Sequence, residues 1–251
     1  MIAGLRFALL LLSGLALSVG SGAAHDDPDP VDVLARLDLA DRLAGEAGAA
    51  GSPAAEAEAR CALAGQIDVL IDDLNTERAT HGGASGLMSV IVEERLAALD
   101  IRPEVVPGVG GDPGSGHLAA WTRDWARCLA LAPDGGDAGE AMFRLVRAGF
   151  RAGYRISPAT EAPVDPGDTR RRIAMAERFL AGWPDHAGRE EVAFVLAVER
   201  ARLVIFAADP ATARELAGPA LAALEAFRDG WPDSLRAAAI PGLVGAVRAA
   251  Y

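Results

Sequence analysis

The chain has 251 residues, with 35 acidic side chains against 24 lysines and arginines, and a formal net charge of −11 at pH 7. All 24 of these basic residues are arginine, so the sequence offers no lysine for a phosphate-binding loop of the Walker type. Because nucleic acids select cationic surfaces, we expect no nucleic-acid partner.

The first 24 residues have the organisation of a secretory signal peptide. Arg6 precedes an apolar run over residues 7–19, and small residues follow up to Ala24. The run is shorter than the roughly 20 residues that a permanent transmembrane helix needs. We therefore expect cleavage after Ala24 and a periplasmic or secreted mature chain without a permanent membrane span. Loss of Arg6 leaves 23 basic against 35 acidic residues, a net charge of −12.

Helical patterns dominate the rest of the chain, and no alternating strand pattern bounded by turns is found, which predicts an all-α fold. Residues 25–101 are predicted as an N-terminal helical region. Residues 102–116 are rich in glycine and proline and are predicted as a loop. Residues 117–251 are predicted as a separate set of helical hairpins.

Within the N-terminal region, apolar spacing predicts a first helix over residues 31–43 that ends at the glycines of residues 45–51. Ser52 and Pro53 have the pattern of an N-cap followed by the first residue of a second helix. A third helix is predicted over residues 87–99.

The two cysteines, Cys61 and Cys128, would enter an oxidising compartment after export, where a disulfide persists. Two separate buried thiols are the alternative. Cys128 lies on an apolar stripe with Trp125, whereas Cys61 lies off the apolar stripe of its own helix. This placement favours the bridge and predicts that Cys61 faces a second structural element.

From residue 117 onward, a turn with the sequence Pro-Asp recurs three times. The prolines are separated by 51 and 48 residues, and a helical pattern precedes and follows each turn. The matched segments run from Cys128 to Pro133 and Asp134, from Phe179 through Trp183 to Pro184 and Asp185, and from Phe227 through Trp231 to Pro232 and Asp233. Proline ends the first helix of each pair, and the residues behind it cap the next helix. The nearly equal spacing predicts stacked helical hairpins.

These segments resemble the tetratricopeptide repeats of bacterial envelope proteins, in which a helix ends Phe-x-x-x-Tyr-Pro-Asp-Ser. The resemblance covers about residues 118–251 and implies a curved helical-hairpin solenoid that binds a peptide or protein segment on its concave face. The period is longer than the usual ~34 residues. Pro219 and Pro241 are expected to interrupt the last two helices.

Sequence signatures of catalysis are absent, so no catalytic residue and no cofactor is predicted. The four histidines are His25, His81, His117 and His186, and no pair has the spacing of metal ligands on a helix. They are interpreted as unrelated polar residues, with a metal site as the alternative.

Trp183 and Trp231 are predicted to wedge between hairpins, with stacking on a ligand as the alternative. The run from Arg170 to Arg172 follows Asp168 and Thr169 at a helix start, where the helix dipole disfavours positive charge. It is interpreted either as a solvated face or as a patch for an acidic partner.

The sequence therefore predicts a non-enzymatic scaffold of the cell envelope that binds a protein or peptide segment. The alternative is an envelope enzyme or a protein that binds a small ligand or metal. Its site would lie between the N-terminal helices and the hairpins, near His117.

Overall fold

The computed structural model of the protein describes residues 30–81, 87–101, 105–106, 117–118, 121–148 and 165–251. In these ranges the chain is helical apart from one short antiparallel pair, β1 (Val105–Val106) with β2 (His117–Leu118). The all-α prediction is confirmed. The predicted signal peptide, His25 and most of the predicted loop at 102–116 lie outside the described residues.

The helices follow one another with short connections wherever the chain between them is described. They are α1 (Pro30–Ala49), α2 (Pro53–His81), α3 (Leu87–Ala98), α4 (Arg123–Leu131), α5 (Ala138–Ala148), α6 (Pro166–Gly182), α7 (Arg189–Ile205), α8 (Pro210–Gly230) and α9 (Ile240–Ala249), the last preceded by a 3-10 turn at Leu235–Ala239. None of the helices in the described ranges combines the length and apolar character needed to cross a bilayer.

Proline marks the start of several helices, as its fixed φ and missing N–H allow. Pro53 opens α2 as predicted, and the Ser52 hydroxyl accepts a hydrogen bond from the Ala55 N–H at 3.2 Å. Asp209 caps α8 in the same way, because its carboxylate accepts from the N–H groups of Ala211 and Thr212.

The first helix ends inside the predicted glycine-rich segment 45–51, but α1 continues through Gly45 and Gly48 before it stops at Ala49. Each glycine costs about 1 kcal/mol relative to alanine inside a helix. Leu43 and Ala47 are buried, so the continued helix keeps an apolar face in the core. Burial of that face offsets the weak local propensity.

The two prolines that were expected to interrupt the last helices do not do so. Pro219 lies inside the unbroken α8, on its exposed side, while Ala217, Ala220 and Leu224 are buried. Pro241 lies in the first turn of α9, where its missing N–H has no helical partner to lose. The buried face of α8 therefore holds the helix together across Pro219.

Helix α2 packs against α1 on one side and against α4 on another. A disulfide between Cys61 and Cys128, with Cα atoms 5.4 Å apart, joins α2 to α4. Cys61 thus faces a second element, as its position off the main stripe of α2 suggested. Nearby, the Trp125 indole N–H donates to Asp68 at 2.9 Å, and burial raises the pKa of the Asp68 carboxyl.

Consecutive helices from α5 to α8 pack in antiparallel pairs. Gly139 and Phe143 of α5 lie against Trp183 and Phe179 respectively, so the numbering rises along one helix as it falls along the other. The same reversal is found in the pairs Arg189–Leu180 and Glu199–Arg172 between α6 and α7, and in Phe194–Phe227 and Arg200–Pro219 between α7 and α8. In addition, α7 contacts both α5 and α9.

The buried side chains form clusters that follow one another along the chain. One cluster joins α1, α2 and α3, and a second surrounds the disulfide between α2, α4 and α5. A third around Phe179 joins α5, α6 and α7, and a fourth around Phe227 joins α7, α8 and α9. Each helix layer is therefore stabilised mainly by its neighbours in sequence.

The three Pro-Asp turns lie between α4 and α5, between α6 and α7, and between α8 and the last helical segment. The residue before each proline has nearly the same backbone angles: φ and ψ are −137° and 71° at Ala132, −130° and 70° at Trp183, and −136° and 63° at Trp231. Its N–H donates to the carbonyl four residues earlier at 3.0 Å in all three turns. Its own carbonyl accepts from the N–H three residues later, at 3.1, 3.3 and 3.2 Å respectively.

Candidate functional site

A groove lies between α6 and α8 and is also lined by α7. Its volume is about 240 Å³, and it is open on one side. Helix α6 contributes four lining residues, Arg170, Ile173, Ala174 and Glu177. Helices α7 and α8 contribute Arg200, Leu203, Leu216 and Pro219.

The groove exists because two of the side chains that line it are small or compact. Ala174 faces it from α6 with a single methyl group, and Pro219 faces it from α8 with a compact ring. Ile173, Leu203 and Leu216 form an apolar base. The groove is therefore shallow, with an apolar floor and charged side chains at its edges.

Arg200 links the two walls of the groove. One guanidinium nitrogen lies 2.6 Å from the Glu177 carboxylate of α6, and the other donates a long hydrogen bond, 3.4 Å, to the Pro219 carbonyl of α8. These contacts hold the Arg200 side chain in place between helices that both pack on α7. Its guanidinium consequently forms a fixed part of the groove edge.

The three arginines 170–172, interpreted above as a solvated face or a patch for an acidic partner, lie in three different environments. Successive residues on a helix point about 100° apart, so the three side chains cannot share one face. Arg170 lines the groove, and Arg171 is exposed and pairs with Asp168. Arg172 points toward α7 and pairs at 3.1 Å with Glu199, a carboxylate with no exposed surface.

Glu199 also lies 3.3 Å from Arg202, so a buried ionic cluster joins α6 to α7 behind the groove. Such a cluster is costly to break by removing one partner, because the remaining charge stays buried. The sequence does not indicate this cluster, since no pattern in α7 distinguishes Glu199 from an exposed carboxylate. Only the packing of α6 on α7 shows its burial.

The residues predicted at the turns lie away from the groove. Phe179 and Phe227 are fully buried in the clusters between helices. Trp183 and Trp231 are half-buried, and their rings lie 5.8 and 5.4 Å from those of Phe179 and Phe227 respectively. The exposed residues of these turns are Pro184, Asp185, Pro232 and Asp233.

Two further phenylalanines complete an aromatic contact that occurs at two helix junctions. Phe143 of α5 lies 6.1 Å from Phe179, and Phe194 of α7 lies 5.2 Å from Phe227. Both stand ten residues after a turn proline, and Gly242 occupies that position after the last turn. This spacing from the turn prolines is visible in the sequence and could have identified Phe143 and Phe194 as contact residues.

A polar contact also recurs between these layers. His186, two residues after Pro184, accepts a hydrogen bond from the Gly188 N–H, and its other ring nitrogen lies 3.2 Å from Glu140 of α5. His186 also contacts the rings of Phe143 and Phe179. This histidine, one of the candidates for a metal site, is thus engaged in contacts between helices.

Ser234 stands at the equivalent position, two residues after Pro232. Its hydroxyl accepts from the Arg236 N–H and donates to Glu190 of α7 at 2.7 Å. This hydrogen bond and the nearby Arg236 guanidinium hold the pKa of Glu190 below its ordinary value. The side chain at this position therefore connects the second Pro-Asp turn to α5 and the third to α7.

Within the described ranges, no group of three or more histidine, cysteine or acidic side chains is arranged to hold a metal ion. The side chains of His81 and His117 lie outside the described structure. No protein-family model matches the sequence, and no curated protein is significantly similar to it. The function must be inferred from the described residues themselves.

Proposed function

We propose that this chain is an exported, non-enzymatic scaffold that binds a protein or peptide segment in the groove between α6 and α8. The observation that carries the proposal is the groove itself, an open apolar floor with arginine and glutamate at its edges. An open floor of this kind accommodates part of a longer chain, whereas a small-molecule site encloses most of its ligand.

The proposal includes a solenoid in which α4 to α9 form three stacked hairpins related to tetratricopeptide repeats. The shared backbone geometry of the three turns and the recurring Phe-Phe-Trp contacts support this arrangement. The sequential core clusters also agree with it, since each repeat of a solenoid buries its apolar face on its neighbours.

Export to the periplasm or beyond forms the second part of the proposal. A disulfide between Cys61 and Cys128 is consistent with a protein outside the cytoplasm, because cytosolic thiols are kept reduced. The pattern of the first 24 residues supports the same compartment.

The rival enzyme or ligand-binding function would be favoured by an enclosed pocket that gathers two histidines and a carboxylate. His186 instead packs against Phe143 and Phe179 and is not among the residues that line the groove. The lining residues favour recognition of a chain segment over acid and base chemistry.

A random peptide library displayed on phage and panned on the oxidised mature protein tests the binding function. Ala174→Trp fills the groove from α6, and Ala126→Trp places the same side chain on an exposed position of α4 as the matched control. We expect selected peptides to bind the parent protein and the Ala126 variant and to lose binding to the Ala174 variant. Circular dichroism checks that both variants are folded. Peptides that bind all three proteins equally would refute the groove as the binding site.

A further inference from the structure

The size of the groove restricts what enters it to side chains. Its volume of about 240 Å³ is below the ~300–1,000 Å³ of typical small-molecule pockets. It exceeds the ~150 Å³ of a cavity that accepts a benzene ring. One large apolar side chain, or two small ones, therefore fills the space, while the backbone that carries them stays outside.

The floor selects the chemistry of that side chain. Ile173, Leu203 and Leu216 present only carbon atoms from their side chains, so a polar group placed among them would lose its hydrogen bonds to water without replacement. An aliphatic side chain has no hydrogen bonds to water to lose, and its transfer out of water is favourable. The groove therefore favours an aliphatic side chain over a polar one at its centre.

The charges at the edge are not equivalent. Arg200 is already paired with Glu177 and with the Pro219 carbonyl. Arg170 is exposed and has no ion pair or hydrogen bond with any residue in the described part of the chain. After Arg200 and Glu177 offset each other, the groove retains the positive charge of Arg170.

This positive edge lies on a protein whose net charge is −11. An acidic segment is repelled by most of such a surface and is attracted near Arg170, so the charge orients a bound segment and sets its register. The positions of the two arginines also give the groove a direction. Arg170 lies near the beginning of α6, and Arg200 lies beside Glu177, about two helical turns further along.

We propose, on the basis of the function proposed above, that the groove binds a segment of a partner polypeptide in which an aliphatic residue is adjacent to an aspartate or glutamate. The aliphatic side chain occupies the floor beside Leu203, and the carboxylate pairs with Arg170. The partner is a protein segment rather than a lipid or a nucleic acid, because one unpaired arginine in the groove lining of an acidic protein does not attract a polyanionic surface.

The test uses the peptides selected by display and a charge-reversed pair of variants. Arg170→Glu changes the groove edge, and Arg171→Glu makes the same change of net charge on the neighbouring residue, which pairs with Asp168 outside the groove. Affinities of fluorescein-labelled peptides are measured by anisotropy in the full mature chain. We expect aliphatic-acidic pairs to be enriched and Arg170→Glu to weaken binding about five- to tenfold, since an ion pair becomes a repulsion. Arg171→Glu should weaken binding less than twofold, by roughly the screened effect of a distant charge.

The two proposals fail differently. If no selected peptide is sensitive to Ala174→Trp, the proposed binding function is refuted. If peptides need the groove but show no acidic residue, or bind the Arg170 variant as well as the parent protein, only the acidic specificity is refuted. Replacing the acidic residue of a selected peptide with its amide supplies an independent check. The parent protein should lose affinity for the amide peptide, whereas the Arg170→Glu variant should not.

Discussion

Reduction of the disulfide between Cys61 and Cys128 provides a quantitative test of how the N-terminal helices are joined to the hairpins. The bridge closes a loop with a sequence separation of 67 residues. In the chain-entropy model, a loop of this length restricts the unfolded chain and stabilises the native state by about 4 kcal/mol at 25 °C. We therefore expect reduction to lower the free energy of unfolding by about this amount.

The structure indicates that most of this loss arises in the unfolded state. Arg60 and Asp124 lie 2.7 Å apart across α2 and α4, and Trp125 bonds to Asp68 in the same region. These contacts keep the two helices together after reduction, so the reduced protein should retain its helical content. The unfolded chain becomes more expanded, and the denaturant dependence of unfolding should increase.

The assay is unfolding of the mature protein by urea and, separately, by heat, with and without a phosphine reductant. Both are followed by far-ultraviolet circular dichroism. A decrease of about 4 kcal/mol should lower the melting temperature by roughly 8–16 °C in a protein of this size. The variant with both Cys61→Ala and Cys128→Ala is the control, because reductant should not change its stability. Two titratable thiols in the oxidised protein, or an unchanged unfolding midpoint on reduction, would refute the reasoning.

Phe227→Ala should lower the free energy of unfolding by about 3–5 kcal/mol, because its side chain is fully buried. Trp231→Ala should lower it less, since that ring is half-buried. An equal loss for the two variants in urea unfolding would contradict this. Burial raises the pKa of Asp68, so wild-type stability should fall as the pH rises from its unfolded to its folded pKa. The stability of Asp68→Asn relative to the wild type should therefore grow as the pH rises above about 3.9, the ordinary pKa of aspartate, and a stability difference that is independent of pH would contradict this. Intact mass of the exported protein should show cleavage after Ala24; a mass that includes the first 24 residues would contradict export by this route.

Local signals in the sequence determined where most helices begin and end. Pro53 starts α2, and the prolines of the three Pro-Asp turns stand between helices, because proline fixes φ and removes a donor wherever it occurs. These effects depend on the residue and its immediate neighbours. Ala141, Val192 and Ile240 each stand eight residues after a turn proline, and all three are buried.

Local signals were misleading where tertiary burial outweighed propensity. The glycine-rich segment 45–51 ends the first helix only at Ala49, after Gly45 and Gly48, and Pro219, which was expected to interrupt α8, lies inside the unbroken helix. In each case a buried face extends beyond the unfavourable residue. The free energy of burying that face depends on a partner helix, which the local sequence does not specify.

The candidate site depended still more on tertiary structure. Its lining comes from three helices, and nothing in the sequence near Arg200 or Leu216 indicates that they face a common groove. Arg170 and Arg172 look alike in the sequence, but the packing of α6 on α7 buries one beside Glu199 and leaves the other exposed. The sequence by itself determined the helical class, the turns and the pair of cysteines, because these follow from short-range patterns. Only the packing of distant segments decided which side chains form the groove and which charges remain available to a partner.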